Sequence, residues 1–152
     1  MDQKVYTGQR RSNPGPTGLP GALFDTLTCK WRRFVGAVCL SVIGELDVAT
    51  VSSFRSQLRS ATAPIDHLVV DLSRLRHIDT TGVHALLDAY QAFTLAARSM
   101  ALVAVPPKIQ RVLAAFGVDE IVPVFPTVEV ALSNFRGDAS STGAAALERS
   151  TS

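Results

Sequence analysis

The chain has 152 residues, 47% of them apolar, and a formal net charge of +2. That length suits one domain with a substantial core, and the apolar share excludes a wholly disordered chain. The charge is uneven: residues 23–135 carry ten basic and ten acidic side chains, so the excess lies in Lys4, Arg10 and Arg11 against Asp2, and no basic folded surface points to nucleic acid.

No apolar run approaches the ~20 residues of a membrane helix. The opening residues, MDQKVYTGQRRSNPGPTGLP, lack the apolar core of a secretory signal. A cytoplasmic protein without a membrane partner is expected. Residues 1–22 hold Pro14, Pro16, Pro20 and several glycines, and read as a flexible tail. Residues 23–33 partly alternate apolar and polar side chains, with Phe24, Leu27, Cys29 and Trp31, and read as a strand. Gly36 marks a turn, and residues 37–43 (AVCLSVI) read as a second strand in an antiparallel hairpin. Gly44-Glu45-Leu46-Asp47 ends it, with Asp47 as a helix cap. Val51, Phe54 and Leu58 then fall at helical spacing, and Pro64 stops that helix.

The continuous apolar run Leu68-Val69-Val70 suits a central strand covered on both faces. A short polar turn follows. From Val83 the period changes: Val83, Leu86, Leu87, Tyr90 and Phe93 make one stripe on a helix that begins at Asp79-Thr80-Thr81-Gly82. Residues 100–105 (MALVAV) are a further buried strand. Residues 109–116 form a short helix closed by Gly117, residues 121–125 a last strand, and residues 127–135 a last helix. From residue 136 the composition turns to Gly, Ala, Ser and Thr and reads as a disordered tail. The pattern predicts an α/β fold: a single domain over 23–135, with a mixed, mostly parallel sheet of about five strands and helices packed on it.

The chemistry expected from this chain is sparse. There is no phosphate-binding glycine loop and no dinucleotide fingerprint. The three histidines, His67, His77 and His84, have no metal-ligand spacing, and no cofactor or metal is expected. Only Thr80 or Thr81 beside His77 or His84 could pair a nucleophile with a base, so catalysis is not expected. Cys29 and Cys39 read as two reduced thiols, with a redox pair open if a hairpin brings them together.

The helix start is the richest stretch. A Thr80 or Thr81 oxygen can cap the first turn, Asp79 suits the positive end of the helix dipole, and Gly82 permits an unusual backbone angle or a close approach by a partner. An exposed hydroxyl at such a position can also accept a phosphate, adding about −1.5 to −2 charges beside Asp79 and near Asp47. That charge would repel an acidic partner without unfolding a helix start, which tolerates phosphate well.

Leu72-Ser73, then Ile78-Asp79-Thr80-Thr81-Gly82-Val83 and Leu86-Leu87, resembles the signature of the STAS domain, the sulphate transporter and anti-sigma factor antagonist family. The Gly44-Glu45-Leu46-Asp47 loop stands at the family's spacing, and the resemblance covers roughly residues 24–135. It implies the same α/β fold and a regulatory role in transcription. Members of the bacterial antagonist branch bind an anti-sigma factor that is also a serine/threonine kinase, and so free a sigma factor. The kinase, using ATP, phosphorylates the hydroxyl residue after the signature Asp and releases the antagonist. Carried over, Thr80 is the phosphoacceptor, with Thr81 the less favoured choice. Gly44, Glu45, Leu46, Asp47, Asp79, Thr81, Gly82 and Val83 form the partner-binding face. The sequence departs from the family in having Thr80 where Ser is commoner, and polar Arg76 and His77 where the family is apolar. The other reading is a STAS-type sensor that binds a nucleotide or small ligand, or acts in a signalling assembly without phosphorylation.

Overall fold

Side chains alternate across a strand, so a sheet covered on both faces needs apolar residues at every position. Three strands of this protein meet that demand. The structure, a computed structural model, describes residues 3–6, 27–61 and 66–140. In chain order the elements are β1 (Gln3–Tyr6), β2 (Leu27–Phe34), β3 (Ala37–Leu46), α1 (Val51–Ala61), β4 (His67–Asp71) and β5 (Leu75–Ile78). They continue with α2 (Thr80–Leu95), β6 (Ser99–Val103), α3 (Pro107–Ala115), a 3-10 turn at Val118–Glu120, β7 (Val124–Phe125) and α4 (Val128–Ser140).

The sheet order is β1-β2-β3-β4-β6-β7, with β5 paired to the far end of β3. β1 and β2, and β2 and β3, run antiparallel; every other pair is parallel. In β3, β4 and β6, the side chains of Val38, Leu40, Leu68, Val70, Met100 and Leu102 face one core. Phe54 and Leu58 of α1, Val83, Leu86 and Phe93 of α2, and Ile109 and Leu113 of α3 close over it. The alternate residues Ala37, Cys39, Val69, Ala101 and Val103 face a second core, covered by Val128, Ala131, Leu132 and Phe135 of α4. The mixed, mostly parallel α/β sheet expected from the pattern is therefore present, with helices on both faces.

Several details differ from the sequence reading. Gln3–Tyr6 is a strand on the outer edge of β2, inside the stretch expected to be a flexible tail; β2 offers a free row of backbone groups there, and Val5 and Tyr6 favour extended backbone. The segment after β4, expected as a polar turn, contains β5. These two strands take the sheet to seven. The expected last strand over 121–125 shrinks to Val124–Phe125, because the N–H groups of Ile121 and Val122 are bonded back to the Val118 carbonyl of the 3-10 turn. The last helix runs to Ser140, past residue 135. The tail readings at 7–22 and 141–152 lie outside the described residues.

The hairpin register also decides the cysteine question. Cys29 faces Val42 and Cys39 faces Arg32 across the pair. Cys29 belongs to the first core and Cys39 to the second, so the sheet itself separates the two thiols. Burial pushes the Cys29 thiol up to about 12; burial and then Asp71 push Cys39 up to about 11. Neither holds appreciable thiolate near neutral pH, and the thiolate is the reactive form. A thiol titration after unfolding should count two free thiols whether or not the native protein was first mildly oxidised, and alkylation at neutral pH should occur only on unfolding. A drop to zero after oxidation would contradict this register.

Candidate partner-binding face

β3 ends in a kink that the chain can make only with glycine. Gly44 has φ +111°, in the region that side chains other than glycine rarely adopt, and the β3–β5 register shifts between Gly44 and Glu45. The Gly44 N–H donates to the Arg74 carbonyl (3.1 Å), tying the kink to the turn before β5. Beyond it the chain forms a closed loop. Asp47 Oδ1 accepts from the N–H groups of Ala49 (3.0 Å) and Thr50 (3.2 Å). The Thr50 hydroxyl donates to the Glu45 carbonyl at 2.9 Å and accepts from the Asp47 N–H at 3.1 Å. Thr50 is the one buried polar side chain among the described residues. Asp47 thus caps the turn that leads into α1, as expected, but the loop is locked by Thr50. The D-x-x-T spacing, in which an Asp and a hydroxyl close a short turn on each other, was the signal for it.

The helix start is arranged differently from the expectation that a threonine caps it. Asp79 is the N-cap: its Oδ1 accepts from the Gly82 N–H at 3.0 Å. Its Oδ2 accepts from the Val48 N–H at 3.3 Å, and its own N–H donates to the Leu46 carbonyl at 3.2 Å. One aspartate therefore caps α2 and holds the 44–47 loop against it. Thr80 is left as the first helical residue, exposed, with a hydroxyl that has no hydrogen-bond partner among the described residues. Thr81 is half-buried.

Gly82 is buried beneath this surface. A Cβ there would lie 2.4 Å from the Leu46 carbonyl oxygen and 2.8 Å from Ile78 Cγ1. The close approach it permits is therefore to β3, not to a partner. Leu46 and Val83 are fully buried and Gly44 is buried, so they support the face from below. The residues left on the surface are Glu45, Asp47, Asp79, Thr80 and Thr81. Val48 joins them, 71% exposed at the loop tip, and the sequence reading had not singled it out. Arg76 lies 3.7 Å from Glu45 in an exposed ion pair at the rim. Among the described residues neither threonine hydroxyl is hydrogen-bonded to His77 or His84, and no group of three His, Cys, Asp or Glu side chains could hold a metal.

Fold and site define a class: small α/β domains that hold a hydroxyl-bearing helix start against a loop at the end of the sheet. The STAS domain family model matches residues 31–131, and the chain belongs to that family. An anti-sigma F factor antagonist of Paenibacillus polymyxa is 28% identical over 92 residues, 59% of this chain and 79% of that protein. The crystal structure of an anti-sigma factor antagonist from Mycobacterium paratuberculosis superposes with a TM-score of 0.68 at 26% identity, over 73% of this chain and 95% of that one. The Bacillus cell fate determinant SpoIIAA, in its phosphorylated form, shares the fold at a TM-score of 0.56 and 20% identity, over 70% and 98% of the two chains. Among the described residues no helix is long and apolar enough to cross a membrane.

Proposed function

We propose that this domain is an anti-sigma factor antagonist acting in the cytoplasm. In its unmodified form it docks the 44–48 loop and the start of α2 on a kinase-type anti-sigma factor, so that a sigma factor is released to transcription. Phosphorylation at Thr80 ends the contact. The observation that carries this reading is the division of labour at the helix start: Asp79 caps, and the Thr80 hydroxyl is exposed and uncommitted. The names carried by the Paenibacillus and Mycobacterium relatives support the same role.

The physical case is one of charge and shape. Val48 gives the face an apolar contact, and Asp47 and Asp79 give it a negative edge. A phosphate on Thr80 adds about −1.5 to −2 charges to that edge. The positive end of the α2 dipole favours a phosphate at that position, so the fold survives while the docking surface gains bulk and further negative charge. Mixing the purified domain with candidate anti-sigma kinases should give a stoichiometric complex on size-exclusion chromatography and free a bound sigma factor. Failure to form a complex with any of them would count against the reading.

A further inference from the structure

A second site lies far from Thr80. A cavity of about 260 Å³ opens between the last turns of α2, the start of β6, β7 and α4. Thr94, on its wall, is roughly 20 Å along the helix from Thr80 at 1.5 Å per residue. The cavity exists because β7 is short. β7 pairs only with Leu102 and Val103, so the first part of β6 has β4 on one side and no strand on the other.

That gap leaves a backbone donor without an acceptor. The Ser99 N–H donates towards β4, to the Asp66 carbonyl, and the Leu102 N–H donates the other way, to the Pro123 carbonyl. Successive N–H groups alternate along a strand. Met100, two residues before Leu102, therefore turns its N–H to the β7 side, into the cavity it lines. Met100 is 1% exposed, and no backbone acceptor meets this N–H among the described residues. Buried backbone donors are almost always satisfied.

The side chains around it share one character. Arg98, Tyr90, Thr94, Ser99 and Asn134, one cationic residue, three that carry hydroxyls and one that carries an amide, are among the lining residues, and no Asp or Glu is. Arg98 sits over the Phe93 ring at 6.0 Å and makes no ion pair among the described residues. Pro123, Phe125 and Phe135 form the apolar wall. The Phe135 ring is held by stacking on His67 at 4.6 Å and 8°. A cationic residue, a buried N–H and hydroxyl-bearing residues that share one cavity with two aromatic rings suit an anion with a flat apolar body.

We propose that this cavity binds a small organic carboxylate, held at its charge by Arg98 and the Met100 N–H and at its body by Phe125 and Phe135. The proposal does not depend on Thr80 or on the partner. Benzoate is the probe, titrated into the full chain and followed by amide NMR, with benzamide and inorganic phosphate as controls. The expected result is a saturable shift of the Met100 amide with benzoate and none with benzamide. Arg98→Ala should weaken benzoate about tenfold or more, the range of a lost charge-assisted hydrogen bond. Asn134→Ala should weaken it less, and each variant's amide spectrum reports whether it is folded. Any of four results would overturn the proposal: no saturable Met100 shift, an equal response to benzamide, a preference for phosphate, or unchanged benzoate binding in folded Arg98→Ala.

Discussion

Gly82→Ala is expected to lower the melting temperature by roughly 10 °C, the equivalent of about 2 kcal/mol in a domain of this size. Helix propensity alone predicts the reverse, since alanine gains about 1 kcal/mol over glycine in a helix interior. The packing decides the sign. The added methyl would stand 2.4 Å from the Leu46 carbonyl oxygen, a backbone atom that cannot swing aside as a side chain could. That carbonyl also accepts the Asp79 N–H, so displacing it breaks a hydrogen bond at the helix start. Leu46 is paired with Ile78 of β5, and β2 holds β3 as far as Gly44, so the strand has little room to retreat. Thermal unfolding of the variant checks this; a melting temperature at or above that of the wild type would mean that α2 moves away at little cost.

Thr80→Glu is expected to weaken the complex with the anti-sigma factor about 100-fold while shifting the melting temperature by no more than about 2 °C. The stability side follows from position: Thr80 is exposed, uses its hydroxyl for nothing within the described fold, and sits where the helix dipole favours a negative charge. The binding side follows from the proposed docking face, where a new charge beside Asp79 meets the partner's surface at close range; like-charge juxtaposition at an interface costs several kcal/mol. Thr80→Ala, which removes the hydroxyl and adds no charge, should bind close to wild type. Titration calorimetry separates the three. Equal affinity for wild type and Thr80→Glu would place the docking face elsewhere.

How much of this was legible in the sequence depends on how strongly each residue's surroundings were written into its neighbours. The central strand was legible because Leu68, Val69 and Val70 are buried on alternate faces, which only a doubly covered strand requires. The α2 stripe was legible for the same reason at helical period. β5 was not: its two middle residues, Arg76 and His77, are exposed, and only Leu75 and Ile78 at its ends are buried. Four residues with that pattern look like a turn until β3 supplies a partner. β1 was hidden by the glycines and prolines that follow it and by its dependence on the free edge of β2.

The helix start was legible as a place but not in its roles. Asp and Thr are both good N-caps, so Asp79-Thr80-Thr81 allows more than one assignment. The loop breaks the tie, because only Asp79 reaches both the Gly82 N–H and the Val48 N–H. Gly82 was legible as special and misread in purpose, since a lone glycine does not say whether its near neighbour is a partner or its own sheet. The cysteines needed the register. Cys29 faces Val42, and Cys39 is an odd number of residues from Val42, so the two thiols lie on opposite faces once the turn fixes the pairing.

The most direct test of the central claim is intact-mass spectrometry of the domain incubated with its candidate anti-sigma kinases and ATP, with Thr80→Ala and Thr81→Ala alongside. One phosphate on the wild type and on Thr81→Ala, and none on Thr80→Ala, is the predicted result. A phosphate that persists in Thr80→Ala, or no phosphate with a kinase that binds the domain tightly, would contradict a switch at Thr80.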